Sequence, residues 1–298
     1  MSKHSVELVL DARNGVGESP VWCAAEQALY WVDIPARTLF RMAIDSGEIS
    51  QWQAPEMLGC IAPGGLGNSW IAGAETGVFL LEPGPQGQLG FELLASVDHA
   101  APGMRFNDGR CDRQGRFVAG TMVMNMSAGS SSGAVYSYQT SGGLTRLQGG
   151  FITPNGMGFS PDGRTMYLSD SHPTVQSVWA FDYDTETGTP SNRRLFIDMK
   201  PLPGRPDGAA IDEDGCYWIC GNDAGLVHRF TPEGKLDRSL AVPVKKPAMC
   251  AFGGANLDTL FVTSIRPEGI DLSDQPLAGG VFALYPGVRG LPEPTFVI

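Results

Sequence analysis

Long apolar runs and basic patches are both absent from this sequence. Nowhere do about 18 or more apolar residues follow one another, as a helix that spans a bilayer would need. Lys and Arg number 21 against 32 Asp and Glu, so the net charge is −11, and the longest basic run is Lys245-Lys246. A chain of this charge repels the phosphate backbone of nucleic acids. The opening stretch MSKHSVELVLDARNG also lacks the apolar core of a signal peptide. We therefore expect a soluble, cytoplasmic protein that binds neither nucleic acid nor membrane.

Metal-binding patterns of histidine and cysteine are absent too. The four histidines are scattered, the six cysteines lie mostly inside apolar runs, and no GxSxG nucleophile motif occurs. Cys216 and Cys220 share one face of a predicted strand but lie roughly 13 Å apart, which is too far for a disulfide. We expect buried, reduced thiols and no closed structural zinc site.

Turn-forming residues are abundant. Gly 39 and Pro 22 together make up about a fifth of the 298 residues, which suits many tight turns and few long helices. Helical periodicity is nearly absent, and short apolar runs follow one another along the whole chain. The composition therefore predicts an all-β protein, and a single closed domain spanning residues 1–298 fits this length.

One short pattern recurs along the chain. It consists of an oxygen-bearing side chain, a glycine one or two residues later, and a turn dipeptide seven residues after the first position. The stretch RPDGAAIDEDG shows it best, with Asp207 followed by Asp214-Gly215, a strong hairpin signal. Asn107 and Asn155 begin two further copies, and Glu18 in GESPVW begins a degenerate one. If these positions are equivalent, the symmetry of the repeat brings the four side chains together.

The spacing of the copies predicts a six-bladed β-propeller. Asn107, Asn155 and Asp207 follow one another at intervals of about 50 residues, within the range of four-stranded propeller blades. Six such segments can be laid out, at about 15–52, 56–96, 105–149, 153–200, 204–242 and from 246 onward. The opening strand VELVLDA has no partner nearby, so we expect it to complete the last sheet and close the ring.

The start of each innermost strand lies at one mouth of a propeller's central channel. Glu18, Asn155 and Asp207 would there supply three oxygen ligands and two negative charges, which suit Ca²⁺, Mg²⁺ or Mn²⁺. Such an ion could polarise a carbonyl group, and we predict Asp207 as the base that takes a proton from water. Arg105 and Asn107 are two residues apart on one strand face and could bind substrate oxygens.

Four ordered motifs resemble the gluconolactonase, regucalcin (senescence marker protein) and luciferin-regenerating family of six-bladed propellers. They are GESPVW, RFNDGRCDRQGRFVAGTM, TPNGMGFSPDGRTMYLSDS and RPDGAAIDEDG, and the resemblance covers nearly the whole chain. The later segment AGGVFAL looks most like the bacterial sugar lactonase branch.

This resemblance implies an enzyme that hydrolyses sugar-acid lactones such as gluconolactone, arabinonolactone, xylonolactone or galactonolactone. It implies one divalent cation (Ca²⁺, Zn²⁺, Mn²⁺, Mg²⁺ or Fe²⁺) on the residues that match Glu18, Asn155 and Asp207. It also implies substrate contacts from Arg105 and Asn107 and, in some members, a second calcium near the position of Asp108.

One stretch departs from the family pattern. Several relatives carry acidic residues after GTM that hold sugar hydroxyls, whereas this chain has Val123, Met124 and Asn125. We expect Asn125 to contact the substrate and the loop 122–133 to select the sugar, which the sequence does not identify.

Two other functions fit the same residues. One is hydrolysis of a phosphotriester or aryl ester at this site, and the other is calcium binding by a propeller without turnover. Arg105 and Asn107 favour an enzyme, because a pure calcium binder would not need them. We expect a monomer or a weak homo-oligomer.

Overall fold

In the computed structural model, which describes residues 6–297, the chain forms six antiparallel sheets of four strands each. Two short 3-10 turns, Pro85–Gly87 and Met126–Ala128, accompany the strands, and no α-helix occurs in the described range. Accordingly, no helix of residues 6–297 is long and apolar enough to cross a membrane.

The strands follow the chain blade by blade, except for the first one. Strand β1 (Val6–Leu10) precedes the first sheet, which contains β2 (Gly17–Cys23), β3 (Ala28–Asp33), β4 (Thr38–Ala43) and β5 (Ile49–Gln53). The second sheet contains β6 (Leu58–Pro63), β7 (Trp70–Ala74), β8 (Gly77–Pro83) and β9 (Leu89–Ser96). The third contains β10 (Met104–Cys111), β11 (Phe117–Val123), β12 (Gly133–Gln139) and β13 (Gly143–Phe151).

The remaining sheets repeat this order. The fourth contains β14 (Pro154–Phe159), β15 (Thr165–Asp170), β16 (Ser177–Asp184) and β17 (Thr189–Asp198). The fifth contains β18 (Arg205–Ile211), β19 (Tyr217–Asn222), β20 (Leu226–Phe230) and β21 (Leu236–Ala241). The sixth contains β22 (Pro247–Gly253), β23 (Thr259–Ser264), β24 (Val281–Leu284) and β1.

The six sheets form a closed ring. The inner strands β2, β6, β10, β14, β18 and β22 each contact the next, and β22 contacts β2. Strand β1 pairs antiparallel with β24, with Val6 opposite Leu284. The first and last strands thus share one sheet, which leaves no open edge between the ends of the ring. The six-bladed propeller, the six segments and the closing role of VELVLDA are all confirmed.

The hairpin turns explain why the strands begin and end where they do. At the turn between β18 and β19, the Asp212 side chain accepts hydrogen bonds from the backbone N–H groups of Asp214 (3.1 Å) and Cys216 (2.9 Å). Gly215 follows with a φ of 77°, a left-handed conformation that glycine adopts without strain. The Asp-Gly signal in the sequence therefore corresponds to a real turn.

The sheets pack face to face, so both faces of the inner strands are covered. Every residue of β14 and of β22 is buried, and Trp31 and Trp218 are fully buried between neighbouring sheets. This packing is the reason that the sequence alternates only weakly between apolar and polar residues. The six cysteines are free thiols, and all except Cys23 are buried, as expected.

The segment after β24 crosses the end of the ring that lies away from the starts of the inner strands. Two backbone hydrogen bonds hold this segment: the N–H of Glu213 donates to Arg289 O, and the N–H of Phe296 donates to Pro63 O. Glu293 pairs with Arg110 of β10 at 3.3 Å. The carboxyl-terminal residues therefore cover this end of the channel, and the site must be reached from the other mouth.

Candidate functional site

A β-bulge interrupts each inner strand at the positions predicted to be functional. The pairing register shifts between Glu18 and Val21 in β2, between Phe106 and Gly109 in β10, between Asn155 and Gly158 in β14, and between Pro206 and Ala209 in β18. A bulge bends its strand and changes the direction of a side chain, and bulges are frequent beside active sites. Here the bulges place side chains of four separate blades at one mouth of the channel.

The conformation of one bulge explains the glycine of the repeat. Gly156 has a φ of 59°, and a Cβ at this position would collide with Tyr217 Oη and Ser169 Oγ. In the first blade the equivalent residue is Ser19, with a φ of 49°. Its Oγ accepts a hydrogen bond from the N–H of Ile61 (2.9 Å), which ties this bulge to the second blade.

Five of the predicted site residues line one pocket of about 170 Å³, namely Glu18, Arg105, Asn107, Asn155 and Asp207. Four of them form a continuous hydrogen-bonded row. Arg105 Nη1 donates to Asn107 Oδ1 (2.8 Å), and Asn107 Nδ2 donates to Asn155 Oδ1 (2.7 Å). Asn155 Nδ2 in turn donates to Asp207 Oδ1 (2.9 Å). Residues separated by up to about a hundred positions in the sequence thus meet at this mouth.

Burial shapes the electrostatics of the two carboxylates. The pKa of Glu18 is raised well above its ordinary value, first by burial and then by the negative charges of Asp207 and Asp108. Burial also raises the pKa of Asp207 to about 7, although a hydrogen bond from Asn222 and the charge of Arg205 oppose the shift. Both groups therefore resist ionisation unless positive charge lies close to them.

No basic side chain neutralises these carboxylates directly. Asp207 accepts hydrogen bonds from the neutral amides of Asn155 and Asn222 (2.9 and 2.6 Å), and Glu18 accepts one from the N–H of Ser19 (3.2 Å). Neither carboxylate belongs to an ion pair within residues 6–297. In addition, the buried Asn222 Oδ1 has no hydrogen-bond partner. Buried charge with neutral partners is the arrangement that a bound cation would compensate.

The donor set suits a hard divalent cation. Neither histidine nor cysteine lines the pocket, and the oxygen atoms on its lining side chains belong to carboxylate, amide and hydroxyl groups. Throughout the described part of the chain, no three His, Cys, Asp or Glu side chains cluster as a metal site. A cation at this mouth would thus depend on amide oxygens as well as on Glu18 and Asp207.

Thr153, Ser171, Arg205 and Asn222 line the pocket but were not predicted from the sequence. Arg205 pairs with Asn222 across β18 and β19, and Arg105 pairs with Met122 across β10 and β11. The N–H of Ser171 bonds to Thr153 O at the same place in the fourth blade. The repeat could have indicated these residues, because one member of each pair lies just before the bulge of an inner strand and the other lies opposite it on the next strand.

The structure does not bring Asn125 into the pocket. Asn125 is exposed at the start of the 3-10 turn Met126–Ala128, and Met126 is the residue of this turn that lines the pocket. A substrate contact from Asn125 therefore stays a prediction.

Asp108 lies beside the site without lining it. The residue is buried, its Oδ2 accepts a hydrogen bond from the N–H of Met157 (2.8 Å), and its Oδ1 has no partner. A second calcium near this position, which the resemblance implies for some family members, stays an open expectation for this chain.

Comparison with known proteins identifies a family. A family profile described as SMP-30/gluconolactonase/LRE-like region matches residues 16–266. The chain is 39% identical over 283 residues to 6-deoxy-6-sulfogluconolactonase of Pseudomonas putida, with 94% of each chain covered. It is 34% identical over 297 residues to L-arabinolactonase of Azospirillum brasilense, with 97% of this chain and 94% of the relative covered.

A solved structure gives the same result. The calcium-binding protein regucalcin of Agrobacterium tumefaciens matches with a TM-score of 0.91 and 28% identity, over 99% of this chain and 98% of that one. The family resemblance predicted from the four sequence motifs is therefore confirmed.

Proposed function

This chain belongs to the SMP-30/gluconolactonase/LRE-like family and is a sugar lactonase, a carboxylic ester hydrolase, and we propose that one divalent cation serves its reaction. The proposed reaction is the hydrolysis of a sugar-acid lactone, such as gluconolactone or arabinonolactone, to the open-chain aldonic acid. The proposed ligands of the cation are Glu18, Asn155 and Asp207, and Asp207 is also the proposed base.

One observation carries the cation proposal. Two carboxylates, Glu18 and Asp207, are buried in the same pocket, and no basic side chain pairs with either of them in the described residues. Burying such charges is unfavourable unless an opposite charge compensates them. A divalent cation would balance both charges at once. The oxygen donors favour Ca²⁺, Mg²⁺ or Mn²⁺ over Zn²⁺ and Fe²⁺ among the candidate ions.

Asn155 can join the ligand set only if its amide group rotates. Its amide nitrogen now points to Asp207, and its amide oxygen accepts from Asn107. The two ends of an amide are assigned from the surrounding hydrogen bonds. Cation binding therefore calls for a rotated amide, and the rotation gives up the hydrogen bond from Asn107 as well as those to Asp207 and to Ser171 Oγ.

The cation, when bound, supplies a Lewis acid that polarises the lactone carbonyl. The protein supplies the proton acceptor: the Asp207 carboxylate takes a proton from the attacking water as the water adds to the carbonyl carbon. Asn222 holds this carboxylate through a hydrogen bond of 2.6 Å, so the base keeps a defined orientation. The two electrons of the ester C–O bond pass to the ring oxygen, which takes up a proton as the ring opens.

We propose that Arg105 and Asn107, which line the pocket, bind the sugar. Only Nη1 of Arg105 is held by the protein, through Phe106 O (2.7 Å) and Asn107 Oδ1 (2.8 Å). Its Nε and Nη2 make no hydrogen bond to any residue from 6 to 297, and the side chain lines the pocket. These donors are free for lactone hydroxyl or carbonyl oxygens. Met122 and Met126 provide an adjacent apolar wall.

The test measures the hydrolysis of a panel of aldonolactones by cation-loaded and by chelated protein. The release of acid at constant pH gives the rate. We expect hydrolysis that requires the cation and that falls at least a hundredfold in Glu18→Gln. The matched control is Glu82→Gln on the exposed side of β8, which should keep full activity. Turnover no faster than spontaneous hydrolysis, or full activity of Glu18→Gln, would refute the proposal.

The same preparations distinguish the two other functions that fit these residues. Faster turnover of a phosphotriester or an aryl ester than of any lactone would favour the first of them. Calcium binding without turnover of any ester would favour a binding protein.

A further inference from the structure

One side of the predicted catalytic pocket is apolar. In four blades, the residue two places before the oxygen-bearing side chain of the repeat lines the pocket. This residue is polar in the third, fourth and fifth blades, where it is Arg105, Thr153 and Arg205. In the first blade it is Val16, two residues before Glu18. The same position of the repeat therefore changes its chemistry in one blade.

The residues opposite these positions, on the second strand of each blade, follow the same division. In the fourth and fifth blades they are the polar Ser171 and Asn222. In the first blade, the N–H of Ile34 donates to Val16 O (3.1 Å), and Ile265 of the sixth blade forms an antiparallel β-bridge with Val16. We call Val16, Ile34 and Ile265 the apolar wall, and all three line the pocket.

Backbone hydrogen bonds hold the apolar wall in place. Asp33 Oδ1 accepts the N–H of Val16 (3.0 Å), and Lys246 O accepts the N–H of Ile265 (2.9 Å). The N–H of Ile34 is engaged by Val16 O. The three backbone N–H groups of the wall are thus satisfied within the protein and are not free to bind a substrate hydroxyl group.

The apolar wall lies across the channel from the proposed sugar-binding residues. The third and sixth blades are opposite each other in a ring of six, so Arg105 and Asn107 lie across from Ile265. Among the described residues that line the pocket from the first and sixth blades, Glu18 alone has a polar side chain, and it is a proposed ligand of the cation. A substrate hydroxyl group against the wall would therefore lose its water without gaining a hydrogen-bond partner there.

We propose that the lactone places a carbon without a hydroxyl group against the apolar wall, and that Val16, Ile34 and Ile265 thereby determine which sugar lactones are preferred. The inference rests on the proposed lactonase function and specifies its substrate class. This class is an aldonolactone in which hydrogen replaces one hydroxyl group, while the remaining hydroxyl groups are bound from the third, fourth and fifth blades. Burial of the C–H surface against the wall favours binding.

The experiment compares gluconolactone with its monodeoxy counterparts, in each of which hydrogen replaces a different hydroxyl group. Each enzymatic rate is divided by the spontaneous hydrolysis rate of the same lactone, which corrects for intrinsic reactivity. We expect one counterpart to exceed gluconolactone about tenfold in kcat/KM, because a hydroxyl group buried without a partner weakens binding roughly five- to a hundredfold. Removal of a hydroxyl group that Arg105 or Asn107 binds should instead lower kcat/KM.

Variants of the wall test whether it causes the preference. Val16→Thr replaces a methyl group by a hydroxyl group of similar size, and Ile265→Thr introduces a hydroxyl group from the neighbouring blade. One added hydrogen bond contributes a factor of roughly two to ten, so each variant should reduce the ratio of deoxy to parent kcat/KM by about that factor, mainly through KM. The matched control is Val6→Thr at an exposed position of β1, which should leave both rates and their ratio unchanged.

Each outcome decides the inference. Slower turnover of every monodeoxy lactone than of gluconolactone, or a ratio unchanged in both Val16→Thr and Ile265→Thr, overturns it while leaving the lactonase function intact. If the protein hydrolysed no lactone, the proposed function would fail, and calorimetric binding of the corresponding lactams, which resist hydrolysis, would still decide this inference. Tighter binding of one monodeoxy lactam than of the parent lactam supports the inference, and weaker or equal binding of all of them overturns it.

Discussion

The substitution Asp207→Asn should stabilise the protein when no divalent cation is present. Asp207 is only 7% exposed, and burial raises its pKa from an ordinary 3.8 to about 7. Because Asp207 binds its proton more tightly in the folded state than in the unfolded state, the folded protein loses stability as the pH rises from about 4 to about 7. Above pH 7 the loss is complete.

The magnitude follows from the size of the shift. A difference of about three pKa units corresponds to an upper limit of roughly 4 kcal/mol of unfolding free energy at pH 8, and of under about 2 kcal/mol at pH 5. The neutral amide avoids this cost. Its oxygen can accept from Asn155, and its nitrogen can donate to Asn222 Oδ1, which is now unpartnered, once the Asn222 amide rotates.

Thermal unfolding in the presence of a chelator measures the effect. At pH 8 we expect the melting temperature of Asp207→Asn to exceed that of the unsubstituted protein by roughly 5 to 10 °C, with a much smaller gain at pH 5. Addition of the cation should reverse the order, because a ligand at a hundred times its Kd stabilises the protein that binds it by about 2.7 kcal/mol.

Asp212→Asn in the same blade provides the matched control. Asp212 is fully buried but pairs with Arg229 at 2.8 Å and accepts from Trp218 Nε1 at 2.9 Å. Its neutralisation should destabilise the protein by roughly 2 to 3 kcal/mol at pH 8, with or without the cation. If Asp207→Asn destabilised the chelated protein at pH 8 as Asp212→Asn does, a positive charge of the protein would already compensate the Asp207 carboxylate. That result would refute the prediction.

Two further predictions concern residues outside the predicted ligand set. Asn222→Ala removes the hydrogen bond that orients Asp207. We therefore expect both kcat/KM and the cation affinity, measured by calorimetry, to fall roughly ten- to a hundredfold. Unchanged affinity would contradict this positioning role. Phe296 is buried and stacks on Tyr138 at a centroid distance of 5.7 Å, far from the pocket. Phe296→Ala should therefore lower the unfolding free energy by roughly 3 kcal/mol in a denaturant titration and leave kcat unchanged. Wild-type stability of this variant would mean that the carboxyl-terminal segment does not hold the ring.

The blades were predictable because their signals are local. Turn dipeptides such as Asp214-Gly215 need particular backbone conformations, and they recur at a blade-sized interval. The repeat also places Glu18, Asn155 and Asp207 at equivalent positions, so their convergence follows from symmetry without knowledge of any contact. The structure places all three along one pocket.

Other parts of the site depend on pairings that a local pattern does not reveal. Asn222 contacts Asp207 because a bulge between Pro206 and Ala209 shifts the register of the hairpin. A bulge has no unique sequence signature, so this contact was not predicted. The 3-10 turn at Met126–Ala128 likewise determines that Met126, and not Asn125, lines the pocket. The carboxyl-terminal segment lies outside the repeat, so its path across the far end of the channel has no counterpart in the pattern.

We propose that Glu18, Asn155 and Asp207 bind one cation at the mouth of the channel. Anomalous diffraction from crystals soaked in Mn²⁺ tests this claim most directly. We predict one strong peak within about 2.0 to 2.6 Å of oxygen atoms from all three side chains. A peak elsewhere, or no peak at saturating Mn²⁺ and Ca²⁺, would contradict it.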